Sequence, residues 1–227
     1  MALSKRYPTE KFLPLASSLL LASLASIVLY IGGVIRDPYY GYGYMVWNLF
    51  LAWVPLLLIV WLRQILKRKR WSSWQGITLS VLWLGFLPNS FYMISDYIHL
   101  EDQPSIDVLY DAVMLTSFVL TGLFLGYLSL YLFHNELSKR LPARSARRII
   151  SIIIFMCSIA IYLGRDLRWN TWDLFVNPAG ILFDVSDRLI TSQSNSQMFI
   201  TIFSFYLLLG TIYIIIRNIA HQSPSAK

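Results

Sequence analysis

Four polar side chains, Asn89, Tyr92, Asp96 and His99, recur at i, i+3, i+7 and i+10 within LGFLPNSFYMISDYIHL, residues 84–100. On one continuous helix that spacing makes a single polar stripe. An aspartate and a histidine three residues apart could serve as general acid and base or, as Asp96 and His99, hold a divalent cation. Two other segments carry comparable side chains. Asp107 and Asp111 share a face one turn apart at the start of the next apolar run, so Asp111 joins the candidate acids. The segment GRDLRWNTWDLFVNP, residues 164–178, adds Asp173 as a further acid and Arg165, Arg168, Trp169, Asn170, Trp172 and Asn177 as candidate binding groups. No HExxH, GxSxG or paired-histidine motif accompanies them, so the residue types alone specify no reaction.

The elements that must position these groups are membrane helices. The chain has 227 residues, 56% of them hydrophobic and only 14% charged, and its mean hydropathy is +0.56. Those values exclude an ordinary soluble domain. About 20 helical residues cross a hydrocarbon core of about 30 Å, and six apolar runs are of that order: residues 12–35, 44–66, 75–94, 107–133, 149–164 and 198–216. They predict one all-α integral membrane domain, a six-helix bundle. Ser23-Leu24-Ala25 resembles a signal-peptidase site, but the apolar run continues through IVLYIGGVI and reads as a span. Residues 178–190 place Ile181, Leu182, Val185 and Leu189 opposite Asp184, Asp187 and Arg188, which predicts a helix lying in the interface, with Asn177 as N-cap.

Local chemistry sharpens several of these helices. Pro88 cannot donate to the carbonyl of Leu84, so the third span is expected to break there, with Asn89 or a neighbouring helix satisfying the freed carbonyl. Ser105 is the expected N-cap of the fourth span, with Asp107 in its first turn. Ser18, Ala22 and Ser26 offer a small-residue face, and Gly122 and Gly126 form a GxxxG surface for a partner helix. The fifth span has only residues 149–164 free of charge, about 24 Å of helix, so Arg165 should lie at the membrane boundary and pair with Asp111 or, failing that, Asp96. Asn48 is the one strongly polar residue of the second span before Arg63 closes it.

Charge sets the orientation. The net charge of +7 reflects topology rather than a nucleic-acid partner, because fifteen of the nineteen Lys/Arg fall on the side holding both termini. That side is expected to be cytoplasmic. Ten of the twelve acidic residues fall on the other side, an enrichment that the topology rule does not require. Cys157, the single cysteine, can form no disulfide within the chain and no cysteine metal site.

FLPNSFYMISDYIHL, the pair Tyr110-Asp111 and LGRDLRWNTWDLFVNP resemble the bacterial multi-pass membrane proteins catalogued as domain-of-unknown-function family 1361. The resemblance runs over most of the chain from the second span onward. It implies a bacterial inner-membrane protein and carries no established activity.

Three readings of the polar side remain open. In the first, Arg165 and Arg168 pair with Asp96, Asp107, Asp111 or Asp173, and the asparagines satisfy backbone groups, in a structural or binding role. In the second, a membrane-embedded enzyme acts on a lipid or envelope substrate from outside, with His99 as base or metal ligand and Asp96 or Asp111 beside it. In the third, the chain is a small-solute transporter or binds another membrane protein. No charged residue lies near the middle of a span, which argues against a proton- or ion-coupled carrier. Convergence of unpaired groups would favour an enzyme or binder; mutual pairing would favour the structural reading.

Overall fold

A computed structural model describes residues 12–37, 39–98, 100, 107–166, 176–177, 179–180, 183–184, 186–187 and 192–222. Among them run six α-helices: α1 (Phe12–Arg36), α2 (Tyr44–Ile65), α3 (Trp74–Tyr92), α4 (Val108–Ser138), α5 (Ala143–Asp166) and α6 (Ser192–Gln222). Each contains a stretch long and apolar enough to cross a membrane. A 3-10 helix, Met93–Ile98, continues α3.

Helix α4 is the centre of the bundle and packs against the other five helices. Of its apolar window 61% is buried, against 17% in α1 and in α6, so those two are the lipid-facing flanks. Close packing at α4 depends on its glycines. A Cβ at Gly122 would lie 2.5 Å from Met93 Sδ and 3.0 Å from the Ser90 carbonyl, and one at Gly126 would lie 2.8 Å from both Ser90 Cβ and Phe91 Cε1. The GxxxG surface is therefore occupied by the chain's own Ser90, Phe91 and Met93, which leave no room for a side chain at either glycine as they stand. Further along the same seam Trp83 stacks on Phe133 at 3.9 Å and donates its indole N–H to Ser129 Oγ at 2.8 Å.

Several local expectations need correction. Helix α3 runs unbroken through Pro88, as α2 does through Pro55. A proline costs one ladder bond, and both helices carry that loss without breaking; Asn89 Nδ2 donates to the Phe86 carbonyl at 3.1 Å rather than to the Leu84 carbonyl, and Ser90 Oγ ties α3 to the Ala52 carbonyl of α2 at 3.1 Å. The change of helix type comes at Met93 instead. Asp107, not Ser105, caps α4, its side chain accepting from Tyr110 N at 3.1 Å; Ser105 lies outside the described residues. Helix α4 also continues past Phe133 to Ser138, and α5 begins at Ala143 rather than near Ile149.

The small face of α1 is rotated from the expected one. Ser18 is exposed, while Ser23 and Ser26 are buried, the first accepting from Trp53 Nε1 at 3.0 Å and the second from Ser117 Oγ at 2.6 Å. A strict four-residue repeat drifts about 40° per step around a 3.6-residue helix, so alternating steps of three and four hold the contact. Of the helix expected over residues 178–190, Ala179, Gly180, Phe183, Asp184, Ser186 and Asp187 are described and helical, and Asn177 Oδ1 accepts from Gly180 N at 3.1 Å, as an N-cap should. The rest of residues 178–190 lies outside the described residues.

Candidate functional site

The acidic side chains gather where α1, α3 and α5 end and α2 and α4 begin. Asp96 sits on the 3-10 segment. An α-helix turns about 100° per residue and a 3-10 helix about 120°, so over four residues from Tyr92 the tighter winding swings Asp96 on the order of 80° away from the expected stripe. The consequence is burial. Asp96 is 2% exposed, whereas Asn89 and Tyr92 are half-buried, and its Oδ2 accepts from Asn48 Nδ2 of α2 at 3.1 Å.

Asp111 occupies the first turn of α4 and is 3% exposed. Its Oδ1 accepts from the Tyr40 hydroxyl at 2.5 Å, and its buried Oδ2 has no hydrogen-bond partner among the described residues. Tyr40 belongs to a tyrosine ladder in the α1–α2 connection. The Tyr40 and Tyr42 rings meet edge-on at 5.0 Å, Tyr42 and Tyr44 lie 6.5 Å apart, and Tyr30 of α1 flanks Tyr40 at 6.1 Å. Burial raises the ionisation of Tyr40 and Tyr42 above the ordinary phenol range, and the nearby Asp111 charge raises both further. Both therefore remain neutral hydrogen-bond donors at physiological pH. A Cβ on Gly33 would come within 2.3 Å of the Tyr40 ring, so that glycine is what lets the ring lie against α1.

Arg165 does not pair with Asp111. Its Nη1 donates to the Ser95 carbonyl at 2.8 Å, one residue before Asp96, and the guanidinium is an electrostatic neighbour of that aspartate. The reason is helix adjacency: α5 packs on α3, whereas the first turn of α4 turns Asp111 toward the tyrosines. Arg36 at the end of α1 lies 3.8 Å from Asp107 and 4.9 Å over the Tyr110 ring, in a largely exposed pair.

Asp96, Asp111 and Arg165 are thus placed at one end of the bundle, with Asn89 and Tyr92 on the neighbouring last turns of α3. His99, Arg168, Trp169, Asn170, Trp172 and Asp173 lie outside the described residues. Among the described residues no three His, Cys, Asp or Glu side chains gather as a metal site. The chain contributes other groups to this end that residue types alone did not single out. Asn48 stands in the sequence only as a polar exception in an apolar span, and for Tyr40, Tyr42 and Tyr44 the alternation YYGYGY is the available signal.

The opposite end holds a different polar centre. Glu136, buried in the last turns of α4, accepts from Arg63 Nε at 3.0 Å, from Arg140 Nη1 at 3.0 Å and from Lys139 Nζ. Beside it, His134 Nδ1 lies 2.6 Å from the Tyr213 hydroxyl, and Arg217 Nη1 lies 2.7 Å from His134 Nε2, tying α6 to α4. A fourth span that ends at Phe133 places His134 and Glu136 outside it, whereas the helix carries both to Ser138.

These features define a multi-pass membrane protein of six helices with a buried acidic end. The chain belongs to the family described as a protein of unknown function (DUF1361), whose model matches residues 47–210. No curated protein and no solved structure matches it.

Proposed function

We propose that the protein resides in a bacterial cytoplasmic membrane with both termini inside, and that its acidic end is an external binding site for a lipid or envelope component bearing a primary ammonium group. The observation that carries this reading is Asp111 Oδ2, a buried carboxylate oxygen with no donor among the described residues, beside tyrosines whose hydroxyls and ring faces suit a cation. A protonated amine supplies what that oxygen lacks, an N–H donor and a positive charge. The half-buried Asn89, Tyr92 and Arg165 are the nearby groups suited to orient the remaining parts of such a ligand. Arg168, Trp169, Asn170 and Trp172 extend the same proposal beyond the described residues.

Reporter fusions test the sidedness. Fusions after Arg70 and Arg144 should read cytoplasmic and those after Asp102 and Asn195 external; the reverse result for Asp102 would put the site on the wrong side of the membrane. Binding is tested in detergent by native mass spectrometry with phosphatidylethanolamine against phosphatidylcholine. The headgroup that carries N–H donors should be retained better, and Asp111→Asn should weaken it about tenfold or more, the value of one charge-assisted hydrogen bond. Equal retention of both lipids by the unaltered protein would remove the ammonium reading.

A further inference from the structure

At the basic end, positive charge exceeds what the described residues neutralise. Among the described residues Glu136 is the only carboxylate there, and it is engaged by Arg63, Lys139 and Arg140. Lys67, Arg68, Lys69 and Arg70, in the α2–α3 connection, are all exposed and have no carboxylate partner among the described residues. The same holds for Arg144, Arg147 and Arg148 in the first turns of α5. Membrane orientation requires cations near these helix ends, but it does not require the segments to be fixed to one another.

Here they are fixed. Glu136 joins Arg63 of α2 to the end of α4, and Arg140 lies 5.2 Å over the Trp71 ring of the α2–α3 connection. Trp71 in turn meets Phe133 of α4 edge-on at 5.4 Å and donates to Ser80 Oγ of α3 at 2.9 Å. Ser73 caps α3 through Gly76 N. The four-residue basic run is therefore anchored by its own connection to the helix end that leads directly into the arginines of α5. Exposed indoles of Trp61 and Trp74, 56% and 72% exposed, flank it, as suits the depth of lipid headgroups.

We infer that these two anchored segments form a binding surface for anionic phospholipid headgroups, with the lipid phosphates supplying counter-charge that the described residues lack. Arginines offer planar donor pairs to phosphate oxygens and the lysines add point charges. A basic cluster directly beside membrane helices is the physical arrangement that concentrates acidic lipid.

The test uses the purified full-length chain in discs of phosphatidylcholine containing a minority of phosphatidylglycerol, with the lipids retained after disc disruption identified by mass spectrometry. Phosphatidylglycerol should be enriched about fivefold or more over its bulk share, the gain expected of a single well-placed cation, and the enrichment should collapse in about 1 M salt. Arg144→Gln with Arg147→Gln and Arg148→Gln should reduce it at least by half, and so should neutralising residues 67–70. Lys67→Arg with Lys69→Arg should preserve it. Retention in the bulk ratio, or enrichment unchanged by salt, would overturn the inference without recourse to any variant. Displacement of the lipid by millimolar glycerol phosphate would also overturn it, by assigning the surface to free phosphate esters.

Discussion

The two ends of the bundle solve the problem of a buried carboxylate in opposite ways. Glu136 is held by three cations whose side chains reach toward solvent, 24% exposed for Arg63 and 47% for Lys139, so its charge is matched on the spot. Asp96 and Asp111 are as deeply buried, yet their direct donors are neutral: an amide for one and a phenol for the other. An ion-pair network of the first kind supports a structural assignment. Carboxylates left with neutral partners are what a site that receives something from outside requires. Acidic residues thus mean different things at the two ends, and burial alone does not separate them; the charge of the neighbour does.

The largest effect expected from disturbing this contrast is at the basic end. Glu136→Gln keeps the shape and removes the charge shared by Arg63, Lys139 and Arg140, and should cost about 2–3 kcal/mol of stability in detergent unfolding, a buried-pair loss discounted because the cations are part-exposed. A cost near zero would make the clamp decorative and blur the comparison. Next in size, Asn48→Ala takes the amide donor from buried Asp96 and should cost about 1–2 kcal/mol by the same measurement. If Asn48→Ala is neutral, Arg165 is the effective partner of Asp96 and the acidic end resembles the basic one. The smallest effect is the coupling between Arg165→Ala and Asp111→Ala, which should be within about 0.5 kcal/mol of zero, since the two residues engage different groups. A coupling above about 1 kcal/mol would restore the ion pair that spacing suggests and place Asp111 with the paired carboxylates.

Much of the architecture was legible without coordinates. Six apolar runs, bounded by the basic segment after Arg63 and by Arg144, mark six helices because lipid leaves the backbone few alternatives. Asn177 was readable as a cap because the bond is local, a side chain reaching three residues along. The GxxxG pair was readable as a close contact, though not that Ser90, Phe91 and Met93 would fill it. Errors came where a local rule met a neighbour. Pro88 breaks an isolated helix, but α3 runs through it where it packs against α2 and α4. The stripe from Asn89 to Asp96 assumed α geometry, and the tighter winding after Tyr92 redirected the aspartate toward Asn48.

By itself the sequence determined the number of helices, their class and the segregation of charge to the two ends, since these follow from hydropathy, length and the sign of side chains taken one at a time. Which carboxylate met which donor was decided only by the tertiary structure. Arg165 lies 69 to 54 positions from the aspartates it was matched with, and its choice depends on α5 packing against α3 while the first turn of α4 faces the tyrosines. Pairing across helices is a matter of rotation about each axis, and a single residue's shift turns a side chain by about 100°, which no reading of spacing along one helix can supply.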